Sequence, residues 1–139
     1  MKRIRLLVLL GVVAVALPLG LLQGVAGATG GSGTSVSIQQ YADYNLAGVE
    51  LDVGLNVRCT DVDGLGTATV EVTQTSPETG TPTTGFGFNP AVVCDGRTHS
   101  VGVTVTGVLF DPGKAYAIAD VQSTGGTAHA ERWITIQVN

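Results

Sequence analysis

The stretch Val92-Val93-Cys94-Asp95-Gly96-Arg97-Thr98-His99-Ser100-Val101-Gly102-Val103-Thr104-Val105 sets how the rest of the chain is read. Two apolar runs meet at Asp95-Gly96, the strongest short-range signal for a tight hairpin, because both central residues of such a turn take positive φ. A two-residue hairpin here sets Cys94 opposite Arg97 and Val92 opposite His99. Cys94 then shares a face with Val101, Val103 and Val105, the face that must be buried. The second cysteine obeys the same logic. Val49, Leu51, Val53, Leu55, Val57 and Cys59 alternate with Glu50, Asp52, Gly54, Asn56 and Arg58, the period of a half-buried strand. Both cysteines face a core, so one Cys59–Cys94 disulfide ties the two regions together.

Outward from these runs the pattern continues. Val36 to Tyr41 reads as a first strand, and polar Asp43 to Gly48 as a loop. Asp61-Val62-Asp63-Gly64 turns the chain. Thr67 to Thr75 sets Ala68, Val70 and Val72 on one face. Ser76 to Thr83, with two prolines and a glycine, is a loop. Thr84 to Cys94 places Phe86, Phe88, Val92 and Cys94 on one face, but Pro90 cannot donate to a ladder, so this run is an edge, or is bulged or split at Asn89-Pro90. Asp111-Pro112-Gly113 suits a type II turn. Ala115, Ala117, Ala119 and Val121 form a small-residue face. The last strand, Ala128 to Val138, has Ile134, Ile136 and Val138 on its apolar side. No stretch beyond the leader has a useful helical period. About seven strands rich in Thr, Val and Gly predict an all-β domain, a single immunoglobulin-like antiparallel β-sandwich over residues 36–139 with one disulfide.

The beginning of the chain is different. Met1-Lys2-Arg3-Ile4-Arg5 is basic, an apolar run to Leu22 follows, and Ala26-Gly27-Ala28 matches a small-x-small cleavage pattern. Residues 1–28 read as a secretory signal peptide. Pro18 and Gly20 shorten the apolar run below the ~20 residues a membrane span needs. Residues 29–35 read as a flexible linker. The expected mature protein is secreted and has one domain of roughly 110 residues. Four basic residues then stand against eleven acids. That balance excludes nucleic acid and anionic lipid as partners, since both need a basic face. A protein or small molecule remains as the partner, with no membrane contact after cleavage and a monomer as the expected state. Two cysteines in an exported chain form one bridge, which loop-closure entropy values at about 3–4 kcal/mol.

Four segments resemble the small secreted immunoglobulin-like sandwich proteins of actinobacteria: Asp52 to Cys59, Ala68 to Gln74, Val93 to His99, and Phe110 to Ala115. The likeness covers nearly all of the mature chain and rests on turn residues, core alternation and the cysteine pair. It implies a fold and a compartment, and no activity. The pattern departs from antibody domains, whose bridged cysteines lie farther apart and pack on a Trp between them. Here Trp133 follows both.

Candidate sites are few. The mature chain has only His99 and His129, no Gly-x-Ser-x-Gly elbow, and no second metal ligand at a useful spacing from either histidine, so no enzyme, cofactor or metal is expected. His99 is expected at the rim of the core, bonded to backbone. His129, Glu131 and Trp133 alternate along the last strand. If that face is outward they form a binding patch with an exposed aromatic anchor. The competing expectation turns Trp133 inward or covers it, because Arg132 would otherwise share the core face with Ile134. Asp61-x-Asp63-Gly64 has the start of a calcium loop, but Val72 stands where the closing carboxylate belongs, so an Asx turn is expected. Phe86 and Phe88 are expected to fill the core, or else to line a ligand slot. Three functions follow: a non-catalytic extracellular binding or accessory domain, a carrier similar to chromophore-binding apoproteins, or a secreted enzyme inhibitor.

Overall fold

The computed structural model describes residues 33–47 and 49–139. The expected signal segment, 1–28, and residues 29–32 of the expected linker lie outside the described residues. At the linker's end Thr34 is buried and bonds to Ser123 through their hydroxyls, and Ser35 opens the first strand. Five strands follow: β1 (Ser35–Asn45), β2 (Glu50–Thr75), β3 (Pro82–Thr106), β4 (Gly113–Ser123) and β5 (Gly126–Val138).

The domain is all-β, and the Cys59–Cys94 disulfide is formed. The strand count and direction differ from expectation. β2 and β3 each contain two of the apolar runs and pair antiparallel along their full lengths. The other edge of β2 pairs with β1 over residues 50–58 and with β4 over residues 67–73. β5 pairs antiparallel with β4 and parallel with β1. The sheet is therefore mixed, and β1, β5, β4 and β2 close into a ring of four strands with β3 attached to β2.

The expected Asp95-Gly96 hairpin is not formed. Cys94 does not face Arg97, and Val92 does not face His99. Thr60 pairs with Asp95 and Arg58 with Thr98, so β3 carries one extra residue here and runs on. Gly96, at φ 84°, supplies the left-handed residue of a β-bulge. The Asp95 carboxylate accepts from Arg97 N and from His99 Nε2, and Arg58 Nε donates to the Gly96 carbonyl. The reason is the partner strand. β2 has its own interruption at the same level, where Asp61 to Gly64 loop out between Thr60 and Leu65. Two interrupted strands lying side by side satisfy both runs of each, whereas a hairpin would leave the matching edge of β2 without partners.

A bulge also switches which residues face the core. Cys94 points inward at an even position, and Val103 and Val105 at odd ones. The grouping of Cys94 with Val103 and Val105 is thus correct, produced by a bulge in place of a turn. The same switch occurs at Asn89-Pro90. Gly66 pairs with Val92 and Ala68 with Asn89, leaving one extra residue on β3, and Asn89 Oδ1 accepts from Ala91 N. Phe86 and Phe88 therefore point outward, at 68% and 60% exposure, correcting the expectation that they fill the core or line a slot within it. Gly85 and Gly87 face inward in their place. A Cβ on Gly85 would meet Val105 Cγ1 at 2.6 Å, and one on Gly87 would meet the Thr104 carbonyl oxygen at 2.7 Å. The two halves of β3 pack against each other closely enough that only glycine fits.

Tyr44, Leu51, Leu55, Val57, Val70, Ile134 and Ile136 are fully or almost fully buried. Phe110 meets Tyr44 edge-on, with ring centroids 6.3 Å apart. β4 contributes the expected wall of Ala115, Ala117, Ala119 and Val121. The one buried amide side chain among the described residues, Gln74, is fully used: its Nε2 donates to the carbonyls of Asp111 and Lys114, and its Oε1 accepts from Asp111 N. It pins the crossing segment before β4 as a strand partner would.

Replacing both cysteines with alanine is expected to lower stability by roughly 2–5 kcal/mol, read as a fall in the thermal midpoint. Gly87→Ala is expected to destabilise by about 1–3 kcal/mol through overpacking against backbone, while Phe86→Ala beside it leaves the midpoint within a degree or two of wild type. Denaturant unfolding of the three variants checks the pair of statements.

Candidate functional site

The outer face formed by β5, β4, β2 and the first half of β3 gathers the side chains of interest. Residues opposite one another in a ladder share a face, so the registers give three rows. Trp133, Tyr116, Thr73 and Thr84 form the first; Glu131, Ile118, Glu71 and Phe86 the second; His129, Asp120, Thr69 and Phe88 the third. With strands about 4.8 Å apart, the plate is about 14 Å across. Its large apolar side chains, Trp133 at 66% exposure together with Phe86 and Phe88, stand in water. The outer face built by β1, the start of β2 and the end of β3 is different: Asp52 accepts from Thr104 Oγ1 at 2.6 Å and Gln39 Nε2 donates to Ser100, and its outward positions are mostly polar residues and glycine, with Tyr41 exposed on β1.

The expected patch of His129, Glu131 and Trp133 is therefore outward-facing, and its aromatic anchor is uncovered. Trp133 stacks against Tyr116 with centroids 5.1 Å apart. No bulge interrupts β5 at Arg132, whose ladder with β4 runs in register throughout. The irregularity lies in β1, which shifts its register with β2 between Ile38 and Ala42, where its pairing with β5 begins. Arg132 Nη1 donates to the Ile38 carbonyl at 2.8 Å, so the arginine reaches that gap at the sheet margin and never enters the core.

A polar chain runs across the plate. His129 Nδ1 lies 2.7 Å from Asp120 Oδ1, and His129 Nε2 lies 3.1 Å from Glu131 Oε1. Tyr116 donates its hydroxyl to Glu131 Oε2. The Asp120 contact, and then that of Glu131, holds the His129 pKa above the ordinary 6.5. Glu131 is held below the usual carboxylate range by the Tyr116 hydroxyl and then by His129, and Tyr116 is raised by the same hydrogen bond. Both imidazole nitrogens of His129 are engaged by carboxylates, which leaves neither open to a substrate. Among the described residues no group of three or more His, Cys, Asp and Glu side chains is arranged to hold a metal ion.

The other candidates take structural positions. His99 bonds the Asp95 carboxylate at 2.7 Å at the bulge, not backbone as expected. Asp61 forms the expected Asx turn, accepting from Asp63 N through Oδ1. Its Oδ2 accepts from Thr124 N at 2.6 Å, and Val62 N donates to Thr124 Oγ1. The looped-out segment is thereby docked on the β4–β5 turn, and the Thr124 amide lowers the Asp61 pKa. Phe110 lies in the core, so the three phenylalanines do not share a slot. Sequence reasoning missed Glu71, Tyr116, Ile118 and Asp120 as site residues. The alanine alternation in β4 implied that Tyr116, Ile118 and Asp120 face outward; nothing local set β4 beside β5 and β2.

No protein-family model matches the chain, and no curated protein matches it in sequence. The class that fold and site define is a disulfide-bonded all-β domain with one aromatic, acidic outer sheet face.

The raised His129 pKa favours the folded state when the ring is protonated. Its contribution is complete below pH 6.5, the ordinary histidine value, and fades as pH rises through the raised value. Glu131 acts in the opposite sense: its contribution is present above the ordinary carboxylate pKa and fades as pH falls through the lowered one. A proton NMR titration is expected to give His129 a midpoint above 6.5, and Asp120→Asn is expected to move that midpoint down.

Proposed function

We propose that this protein is a secreted, non-catalytic binding domain that engages its partner through the outer face of β5, β4, β2 and β3. One observation carries the reading: Phe86, Phe88 and Trp133 stand exposed on a single face that also holds the Tyr116–Glu131–His129–Asp120 chain. Contiguous exposed apolar surface rimmed by polar groups marks interaction sites, and aromatic anchors dominate binding energy. A histidine with both nitrogens occupied supports the non-catalytic part of the reading.

The finer fold assignment belongs to the same proposal. Bent at Asp61–Gly64 and at Gly96, β2 and β3 supply two strand segments each. Counted that way the domain has seven strand segments, the number an immunoglobulin-like sandwich uses, and the resemblance to the secreted actinobacterial proteins supports the same reading. Secretion is supported by the basic-apolar-small pattern of residues 1–28, by the disulfide and by the acidic balance. No described helix is long and apolar enough to cross a membrane. The carrier reading, which asks for a deep apolar cleft lined by Phe86, Phe88 or Phe110, is less well supported, since Phe86 and Phe88 stand exposed on the outer face and Phe110 is packed in the core. Inhibition of an enzyme is one form that binding through this face can take.

The test compares three baits in the culture medium and cell wall of the producing organism: wild type, Phe86→Ala/Phe88→Ala/Trp133→Ala, and Ser100→Ala/Thr104→Ala on the polar face. All three are expected to melt within a few degrees of one another. A specific partner is expected with wild type and the polar-face variant, and at least tenfold less of it with the aromatic variant. Equal recovery by all three baits overturns the assignment of the face.

A further inference from the structure

Resting on the proposal that this face binds, we infer that its occupant is a basic protein segment, seated by an arginine side chain on Glu71 between the aromatic rings of β3 and β4. Glu71 is the central carboxylate of the plate. Phe86 lies opposite it on one side and Ile118 on the other, with Phe88 and Tyr116 at the diagonal positions. It is half-buried among apolar side chains. Asp120 and Glu131 are hydrogen-bonded within the plate, both to His129 and Glu131 also to Tyr116; Glu71 takes part in none of the ion pairs among the described residues. A half-exposed carboxylate with apolar side chains across from it attracts a cation that also tolerates an apolar surround.

Guanidinium meets both demands. It is planar, weakly hydrated, stacks on aromatic rings and pairs with a carboxylate through two parallel hydrogen bonds. Ammonium is more strongly hydrated and has no face to stack. Charge complementarity argues against the other occupants. A second copy of the chain would bring Glu71 and an equally acidic surface against its own kind, and an anionic lipid surface or nucleic acid would be repelled. Addition of a strand to the edge of β3 is also disfavoured, because Pro82, Pro90 and the bulge beside Pro90 blunt that edge. Of the basic side chains at the margin, Lys114 lies beyond the Trp133–Tyr116 row, opposite Thr135, and Arg132 turns away to the Ile38 carbonyl, so neither pairs with Glu71.

The experiment is a two-dimensional amide NMR titration of the full domain with three short peptides in which glycine alternates with arginine, lysine or glutamine, at low and at physiological salt. Glu71→Gln, Phe86→Ala/Phe88→Ala and Asp52→Asn are titrated beside wild type; Asp52→Asn removes the same charge from the polar face. The arginine peptide is expected to shift the amides of Glu71, Phe86, Phe88 and Ile118, to bind several-fold more tightly than the lysine peptide, and to weaken with salt. Glu71→Gln and the double phenylalanine variant are expected to weaken it at least fivefold, and Asp52→Asn less than twofold. Shifts spread over the whole acidic surface, with equal losses from Glu71→Gln and Asp52→Asn, overturn the arginine seat. Shifts confined to the face but equal for the glutamine peptide, and indifferent to Glu71→Gln, overturn the inference while leaving the face a binding site. No shift on the face with any peptide, together with equal recovery by the three baits above, removes both.

Discussion

The structure depends on one shared corner. β2 loops out at Asp61–Gly64 and β3 bulges at Gly96, and the two irregularities lie at the same level of one antiparallel ladder. The Cys59–Cys94 bridge joins the strands there. A long two-stranded ribbon twists strongly, and aligned bulges concentrate the bending at one level. Beyond the bend, the two halves of β2 use the same edge for different partners, β1 before it and β4 after it. β5 then spans from β4 to β1, and the ring closes. Without the shared corner, β2 would be a straight ribbon with its second edge only partly matched.

The corner has a second effect, on which residues see water. Each odd-numbered insertion reverses the inward set of a strand. Bulges at Pro90 and Gly96 bracket the short run Val92 to Cys94, so the phase of β3 changes twice. The outcome is an inward Gly85 and Gly87, packed against Val105 and the Thr104 backbone, and an outward Phe86 and Phe88. Close contact between the halves of β3 and the aromatic character of the outer plate are therefore two sides of one strand. Replacing the inward glycines and restoring the phenylalanines to the core are mutually exclusive ways to fill the same space.

On the plate, hydrogen bonding divides the acidic groups into two kinds. Asp120 and Glu131 both bond His129, and Glu131 also takes the Tyr116 hydroxyl, so their oxygens are engaged within the protein. Glu71, on the neighbouring strand, has Phe86 and Ile118 across from it instead. The arrangement gives a rigid, hydrogen-bonded margin next to an aromatic-flanked carboxylate. Rigidity at the margin follows from a network in which every member has a partner. It lets the aromatic anchors meet a ligand with little ordering left to do.

Several features were determined by the sequence alone. Alternation from Leu51 to Cys59 sets those residues inward, because a strand has a period of two whatever its neighbours. The same argument gives the alanine wall of β4 and sets His129, Glu131 and Trp133 on one shared face, leaving open whether that face is outward. The pairing of the only two cysteines needed no geometry. The Asx turn at Asp61 is local chemistry and was legible for that reason. The tertiary structure decided the rest. Asp95-Gly96 is compatible with a hairpin and with a bulge, since both need a glycine at positive φ, and the choice fell to the partner strand some 35 positions earlier. The direction of β1 against β5, the turn of Phe86 and Phe88 into water, and the meeting of Glu71 with Ile118 and of Tyr116 with Trp133 all depend on ladders between distant segments. Local pattern records which side of a strand a residue occupies; it holds no information on which strand lies next to it.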